Sequence, residues 1–402
     1  MDKNITMQKE TIAIYKERRK IPILFNPFLL FVFSILGDAI FQLYFHKKFW
    51  SPFSYEPTAI YNGWVIMLYI ESFIAISLGF LMSYVIYGAI QIKKASNSKQ
   101  KLFVKVDKLN LIAFILFMIM LISTVIAQLM MGDTNFIYIL LGKVNTYSIH
   151  EHIRKSFLGV EGIPIMTAYF IVILWYCYKL LNLKINKWLK FGLILAIFQF
   201  VSIAEAGGLL YFIFAYILQA KANYKIWSRL LLSFVLLMII FMATRIIRNP
   251  GSHILFTLHY FSIFVFGAYL GSPVVNTAYL FANNYIGNFA HFFDNMIPRK
   301  LIDLKSNLQK QLPDPTSPEG LVGLAFMAGG SIFLICYSFI VGLLVSWFYI
   351  MSRKFFAFEI FLPFILVTVA FSMMYNNFLN LDFFWMPLLF SFIVQWSAIR
   401  LR

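Results

Sequence analysis

Charge is scarce in this chain of 402 residues: only 13% are Asp, Glu, Lys or Arg, and only 17 are acidic. A soluble protein of this length needs far more polar surface to cover its core. Cysteine is scarcer still. Cys177 and Cys336 both lie in apolar runs, which excludes a disulfide framework and a cysteine-based metal site. The sequence holds no Asp-x-Asp, no His-Glu-x-x-His, no internal repeat and no low-complexity segment. Apolar side chains are abundant: 61% of residues are hydrophobic, 19% are aromatic, and the mean hydropathy is +0.77. The expectation is an all-α polytopic membrane protein forming one integral domain over 1–402. The net charge of +17 then reflects membrane topology and an anionic ligand rather than nucleic acid.

A helix needs about 20 apolar residues to cross a bilayer. Ten segments qualify: 22–45, 63–90, 109–131, 162–178, 189–205, 207–220, 229–247, 323–349, 356–375 and 383–399. The first lies behind a basic stretch, 1–21, and is too long for a signal-peptide core, so it is read as a retained span. The fifth and sixth are short and meet at Gly207-Gly208, the pattern of a broken or re-entrant pair. Placing 1–21 inside puts 23 of the 34 lysines and arginines in inner connections and 11 in outer ones, in line with the bias toward cytoplasmic positive charge. Both termini are then cytoplasmic. The outer face carries all six histidines and two large segments, 132–161 and 248–322. The stretch 254–282 is apolar enough to suggest a further span. It is read instead as interfacial helices, because one extra crossing would invert everything after it.

Several clusters could carry chemistry on that outer face. Arg245 and Arg248 share a helix face at the end of the seventh span, where two guanidiniums can grip a phosphate or diphosphate. The competing reading is a snorkelling pair that anchors the span. His150, Glu151, Arg154 and Lys155 crowd the sequence HEHIRK. A general base beside cations is one reading and a solvated loop with a surface ion pair is the other. Arg299 and Lys300 follow Pro298, flanked by the carboxylates of Asp294, Asp314 and Glu319. Aromatic residues are dense over 253–293. Tyr260 and Tyr285, with His259 and His291, are candidate sugar or loop contacts, although such rings also form ordinary interfacial belts. Asp38, Glu71, Glu205 and Glu359 sit in or at the ends of apolar runs, where carboxylates are usually functional. Glu205, beside Gly207-Gly208, is the foremost candidate base. No metal site and no cofactor is expected.

The order of these segments resembles the Wzy-type polysaccharide polymerases. The resemblance rests on EAGGLLYFIFAY across the short pair, a basic inner turn, a span ending in arginines, IPRK at 297–300, PEGLVGLAFMAGGSIF entering the eighth span, and KVNTYS at 143–148. It implies a GT-C-like fold in the bacterial inner membrane. It further implies metal-independent transfer of a growing glycan from undecaprenyl diphosphate to a new lipid-linked repeat unit. Arg299 matches the arginine of the family's Ile-Pro-Arg element, Arg245 or Arg248 the basic residue after the seventh span, and Gly207 and Gly208 the small residues of the broken pair. Leu209 and Leu210 stand where the family often has a basic residue, and Leu301-Ile302-Asp303-Leu304 replaces its Trp-Pro. The implied partners are undecaprenyl-diphosphate-linked oligosaccharides, membrane lipid, a chain-length regulator and a flippase.

Two rivals share the pathway. An O-antigen ligase has the same donor and differs in its acceptor. A lipid-linked oligosaccharide flippase should show a repeat and a cation-lined cavity at mid-membrane, whereas here the basic residues sit at span ends.

Overall fold

The computed structural model describes residues 11–16, 25–40, 63–91, 100–130, 163–202, 206–219, 320–372 and 384–401, with isolated positions within 228–236 and 276–292 and at 378. Among the described residues, nine helices fall on nine of the ten apolar runs: α1 (Pro27–Ile40), α2 (Gly63–Gln91), α3 (Val106–Met130), α4 (Ile163–Leu180), α5 (Lys187–Ser202), α6 (Ala206–Leu218), α7 (Leu321–Met351), α8 (Phe356–Ala370) and α9 (Met386–Ala398). Of the tenth run, 229–247, only scattered helical positions are described.

Four of these helices, α2, α3, α4 and α7, are long and apolar enough to cross a membrane. The 13 residues of α6 and of α9 extend only about 20 Å at 1.5 Å per residue, short of a hydrocarbon core about 30 Å thick. The exterior is inverted relative to a soluble protein. Leu129, Ile332 and Trp396 are 76%, 79% and 86% exposed, and Ile70, Ile74, Leu78, Leu81 and Val85 line the open face of α2. An apolar exterior this extensive fits contact with lipid rather than water.

Local chemistry fixes the helix ends. Asn26 precedes Pro27 and accepts the Phe28 amide at 3.0 Å, and proline at the first helical position gives up no needed donor. α4 stops at Asn182, whose φ of 52° is left-handed. The Leu183 amide reaches back to the Tyr178 carbonyl and the Asn182 amide to that of Lys179, which satisfies the last carbonyls of the helix. Asn186 then caps α5 by accepting the Leu189 amide at 2.7 Å.

α2 and α7 form the most extensive helix pair among the described elements. Both carry small residues four apart: Ala75, Gly79 and Ser83 on α2, and Ser338, Gly342 and Ser346 on α7. A Cβ on Gly342 would run into the Ile76 backbone, 2.9 Å from its Cα. One on Gly79 would meet the Phe339 carbonyl and stand 2.7 Å from the Leu343 nitrogen. The backbones therefore touch directly, as small-xxx-small packing allows in lipid. Ser72 opposes Ser338, Ile76 opposes Gly342, and Lys354 lies over the Tyr87 ring, so the two helices run parallel.

The helices are accompanied by one small sheet, an addition to an otherwise helical membrane protein. β1 (Thr11–Lys16), β2 (Gln100–Lys105) and β3 (Ile399–Leu401) pair antiparallel in the order β1-β2-β3. The register sets Ile12, Val104 and Ile399 opposite one another, and Ile14, Leu102 and Leu401 likewise. Leu102, Val104 and Ile399 are buried in the main core cluster, so the period-2 alternation of KLFVK packs one face against the helical bundle. The sheet joins the N-terminal segment, the connection after α2 and the strand after α9. If the sheet lies on one side of a membrane, the chain crosses that membrane an even number of times between β1 and β2, and again between β2 and β3.

Candidate functional site

The sheet marks one end of the bundle, and the helix directions mark the other. α3 leaves directly from β2, so Met130 is about 36 Å from the sheet by helical rise. Tyr178, near the end of α4, donates to Asn110 Oδ1 at 2.8 Å near the start of α3, and Asn186 Nδ2 donates to the same oxygen at 2.6 Å. α4 is thus antiparallel to α3, and Ile163 lies at the end opposite the sheet. Trp188 of α5 packs on Phe114, and Phe191 on Phe117, so α5 runs with α3 and Ser202 also ends at the far side. Gly208 of α6 sits under the Phe200 ring, where a Cβ would come within 2.6 Å of Cζ. The Leu321 amide donates to the Ser372 carbonyl at 2.9 Å, which joins the start of α7 to the end of α8. Met130, Ile163, Ser202, Ala206, Leu321 and Ala370 therefore gather at the far end.

Of the carboxylates singled out in apolar runs, Glu71 and Glu359 are among the described residues; His150, Glu151, Arg154, Glu205, Arg245, Arg248, His259, Tyr260, Tyr285, His291, Arg299, Lys300 and Glu319 lie outside them. The connections that hold them can be followed at their described ends. The segments containing His150, Glu151 and Arg154, and Glu205, leave and rejoin helices at the far end. The long segment that ends with Arg299, Lys300 and Glu319 rejoins there as well.

That end has three described features of its own. α7 is broken: Gly329 has φ −162° and ψ 29°, and Gly330 has φ 70° and ψ −163°. The Gly330 conformation is essentially limited to glycine. Before the break, residues 321–328 are all buried. Fragments of the long segment pack along both sides of the break: the Gly287 amide donates to the Met327 carbonyl at 3.0 Å, Phe281 meets Phe326, and Phe292 meets Phe333 and Tyr337 edge-on. A broken helix leaves backbone donors and acceptors open at membrane depth, an arrangement tolerated where protein, water or ligand satisfies them.

The second feature is a set of buried polar atoms. The Glu71 Oε2 atom is buried and has no hydrogen-bond partner among the described residues. It lies beside Ser72, whose hydroxyl meets that of Ser338 at 2.8 Å, two turns past the break. The Thr368 hydroxyl is likewise buried and unpartnered among the described residues, two residues before the end of α8. Unpaired buried oxygens are rare because each forfeits its hydration. The third feature is the aromatic packing beneath them: Tyr169 meets Phe200, Tyr211 and Phe364, and the last two stack at 4.1 Å. All three features share the end of the bundle opposite the sheet. Among the described residues no cluster of side chains could hold a metal ion.

Glu71 was legible in the sequence as a carboxylate inside an apolar run. Thr368 and the break were not: a threonine in a span is ordinary, and Gly329-Gly330 inside FMAGGSIF gives no sign that the helix stops. No protein-family model, no curated protein and no solved structure matches the chain.

Proposed function

We propose that this chain is a membrane glycosyltransferase that polymerises lipid-linked oligosaccharide repeat units on the outer face of a bacterial cytoplasmic membrane. The growing glycan moves from undecaprenyl diphosphate to the hydroxyl of a new lipid-linked unit, and undecaprenyl diphosphate leaves. The observation that carries this reading is the separation of the two ends. The segments holding the candidate base residues, and the return of the segment holding Arg299, all join the bundle opposite the sheet, at the end where α7 is broken and where Glu71 Oε2 and the Thr368 hydroxyl have no hydrogen-bond partner among the described residues.

The physics of the reaction fits that arrangement. A departing lipid diphosphate gains negative charge, and outward arginines such as Arg245, Arg248 and Arg299 stabilise it. A carboxylate, Glu205 foremost and Glu71 as the described alternative, takes the acceptor proton. The apolar exterior admits the polyprenyl tail. In this reading the chain crosses ten times in a GT-C-like fold, with the sheet on the cytoplasmic side. The even parity imposed by the sheet supports it: eight crossings separate β2 from β3, whereas a spanning 254–282 would make nine. The parallel run of α2 and α7, the second and eighth spans, supports the same assignment.

The test is the surface glycan ladder. The gene is deleted, then complemented with wild type, Arg245→Ala, Arg248→Ala, Arg299→Ala and Glu71→Gln, with the abundance of each protein checked. Deletion is expected to leave lipid A core capped by a single repeat unit, and the arginine variants to lose the ladder at normal abundance. Bare core with polymer accumulating on undecaprenyl diphosphate would make the chain a ligase. Repeat units stalled on the inner leaflet would make it a flippase.

A further inference from the structure

At the sheet end of the bundle, four basic side chains lie over aromatic rings: Lys187 over Trp188 at 4.8 Å, Arg229 over Tyr216 at 4.7 Å, Arg353 over Tyr349 at 5.1 Å and Lys354 over Tyr87 at 4.7 Å. Aromatic rings and cations at one level mark the headgroup zone of a bilayer. Two of the pairs converge. Arg353 and Lys354 occupy the turn that closes α7, held by the Arg353 amide on the Ile350 carbonyl and the Lys354 amide on that of Met351. Their rings come from two helices packed backbone to backbone: Tyr349 from α7, and Tyr87 from α2. Tyr84, 43% exposed, lies one turn before Tyr87 on the same side of α2.

The donors of this cluster are arranged for an anion. The Arg353 guanidinium gives one N–H to the Tyr349 hydroxyl at 3.3 Å, which leaves its other donors, and the Tyr349 proton, for a second acceptor. Arg353 itself is exposed and has no carboxylate partner among the described residues. Toward the bilayer, α2 exposes Leu81 and Val85, an apolar surface of the kind an acyl chain covers. We propose that the headgroup phosphate of an anionic phospholipid, in the leaflet on the sheet side, binds at Arg353 and Lys354 with hydroxyl donors from Tyr84 and Tyr349. Its acyl chains lie along α2. Charge complementarity selects the occupant: an exposed apolar helix face beside two cations and two hydroxyls matches a lipid with a net negative headgroup, and a zwitterionic headgroup brings its own cation to the same place. The site is independent of the catalytic reading, since it lies at the opposite end of the bundle.

The experiment compares thermal unfolding of the full-length protein in neutral detergent with added phosphatidylglycerol or phosphatidylcholine of identical acyl chains, because a ligand of the folded state raises its midpoint. Phosphatidylglycerol is expected to raise the wild-type midpoint above that in phosphatidylcholine. The difference should vanish in Arg353→Gln/Lys354→Gln and shrink in Tyr84→Phe. It should persist in Lys184→Gln/Lys190→Gln, which removes two exposed cations from the same end. Should the double variant fail to fold, Arg353→Gln alone serves, since each protein is its own reference between the two lipids. Equal midpoints in the two lipids for wild type, or a difference that survives Arg353→Gln/Lys354→Gln, overturns the site. Equal loss in Lys184→Gln/Lys190→Gln also overturns it, because the effect is then diffuse surface charge.

Discussion

The hydroxyls of Ser72 and Ser338 meet at 2.8 Å across the α2–α7 interface, fully buried, with either able to donate. The pair sets the register at which Gly79 and Gly342 bring the two backbones into contact. In lipid such a bond contributes modestly, about 0.6 kcal/mol by comparison with other membrane helices. Ser72→Ala and Ser338→Ala should each destabilise slightly, and a double-mutant cycle should return a coupling of about that size. Gly342→Leu should prevent folding, because its side chain would collide with the Ile76 backbone, which cannot move aside. The checks are unfolding midpoints for the serines and accumulation in the membrane for the glycine.

Gly330→Ala should lower stability by about 1–3 kcal/mol, the usual penalty for a side chain forced into such a conformation. Gly88→Ala, on α2 where an added Cβ meets nothing within 4 Å, is the control and should change little if the break itself is what matters. A Gly330→Ala protein that keeps full stability would mean that the α7 break relaxes easily.

Thr368→Val should be neutral or stabilising by up to about 1 kcal/mol, since it replaces an unpaired buried hydroxyl with a methyl of the same shape. If stability holds while glycan polymerisation falls, the hydroxyl serves a ligand. If both hold, Thr368 is only a packing residue.

The α4–α5 turn offers a test confined to stability. Asn182→Gly should be tolerated, because glycine adopts φ near 52° freely, whereas Asn182→Val should destabilise by about 1–3 kcal/mol. Asn186→Ala removes both the cap on Leu189 and a donor to Asn110, and is expected to lower stability by about 1–2 kcal/mol. Thermal unfolding in detergent reads all three.

Sidedness follows from the sheet. In a Cys177→Ala/Cys336→Ala background, Ser96→Cys and Arg402→Cys should react with an impermeant thiol reagent from the same side of the membrane, and Ser306→Cys from the other. Labelling of Ser96→Cys and Arg402→Cys from opposite sides would exclude the pairing of β2 with β3 in the membrane.

The helices were legible because long apolar runs are the strongest signal a sequence carries, and each described helix begins or ends within a few residues of its run. The small residues on α2 and α7 were visible too, but only the crossing geometry shows that Gly79 and Gly342 face a partner backbone. The sheet was hidden for a different reason. TIAIYK and QKLFVK are short with lysines near their ends, IRL is three residues, and their pairing depends on contacts about 90 residues apart for β1 with β2 and about 300 for β2 with β3, rather than on local pattern. The α7 break was missed because its flanks are as apolar as any span. Of the candidate site, the sequence supplied the cations, histidines and Glu71, while the unpaired Thr368 hydroxyl emerges only from packing.

The order in which the sheet is assembled bears on how the protein is made. β1 and β2 are both available early in synthesis, but β3 arrives only after about 290 further residues. At about 5–20 residues per second, the free edge of β2 waits roughly 15–60 s for its second neighbour. An open strand edge is a template for stray pairing. The lysines at 101 and 105, which flank its apolar centre, discourage such pairing with a second nascent chain. The final strand thus acts as a clasp, closing the bundle only once all the helices between have been laid down.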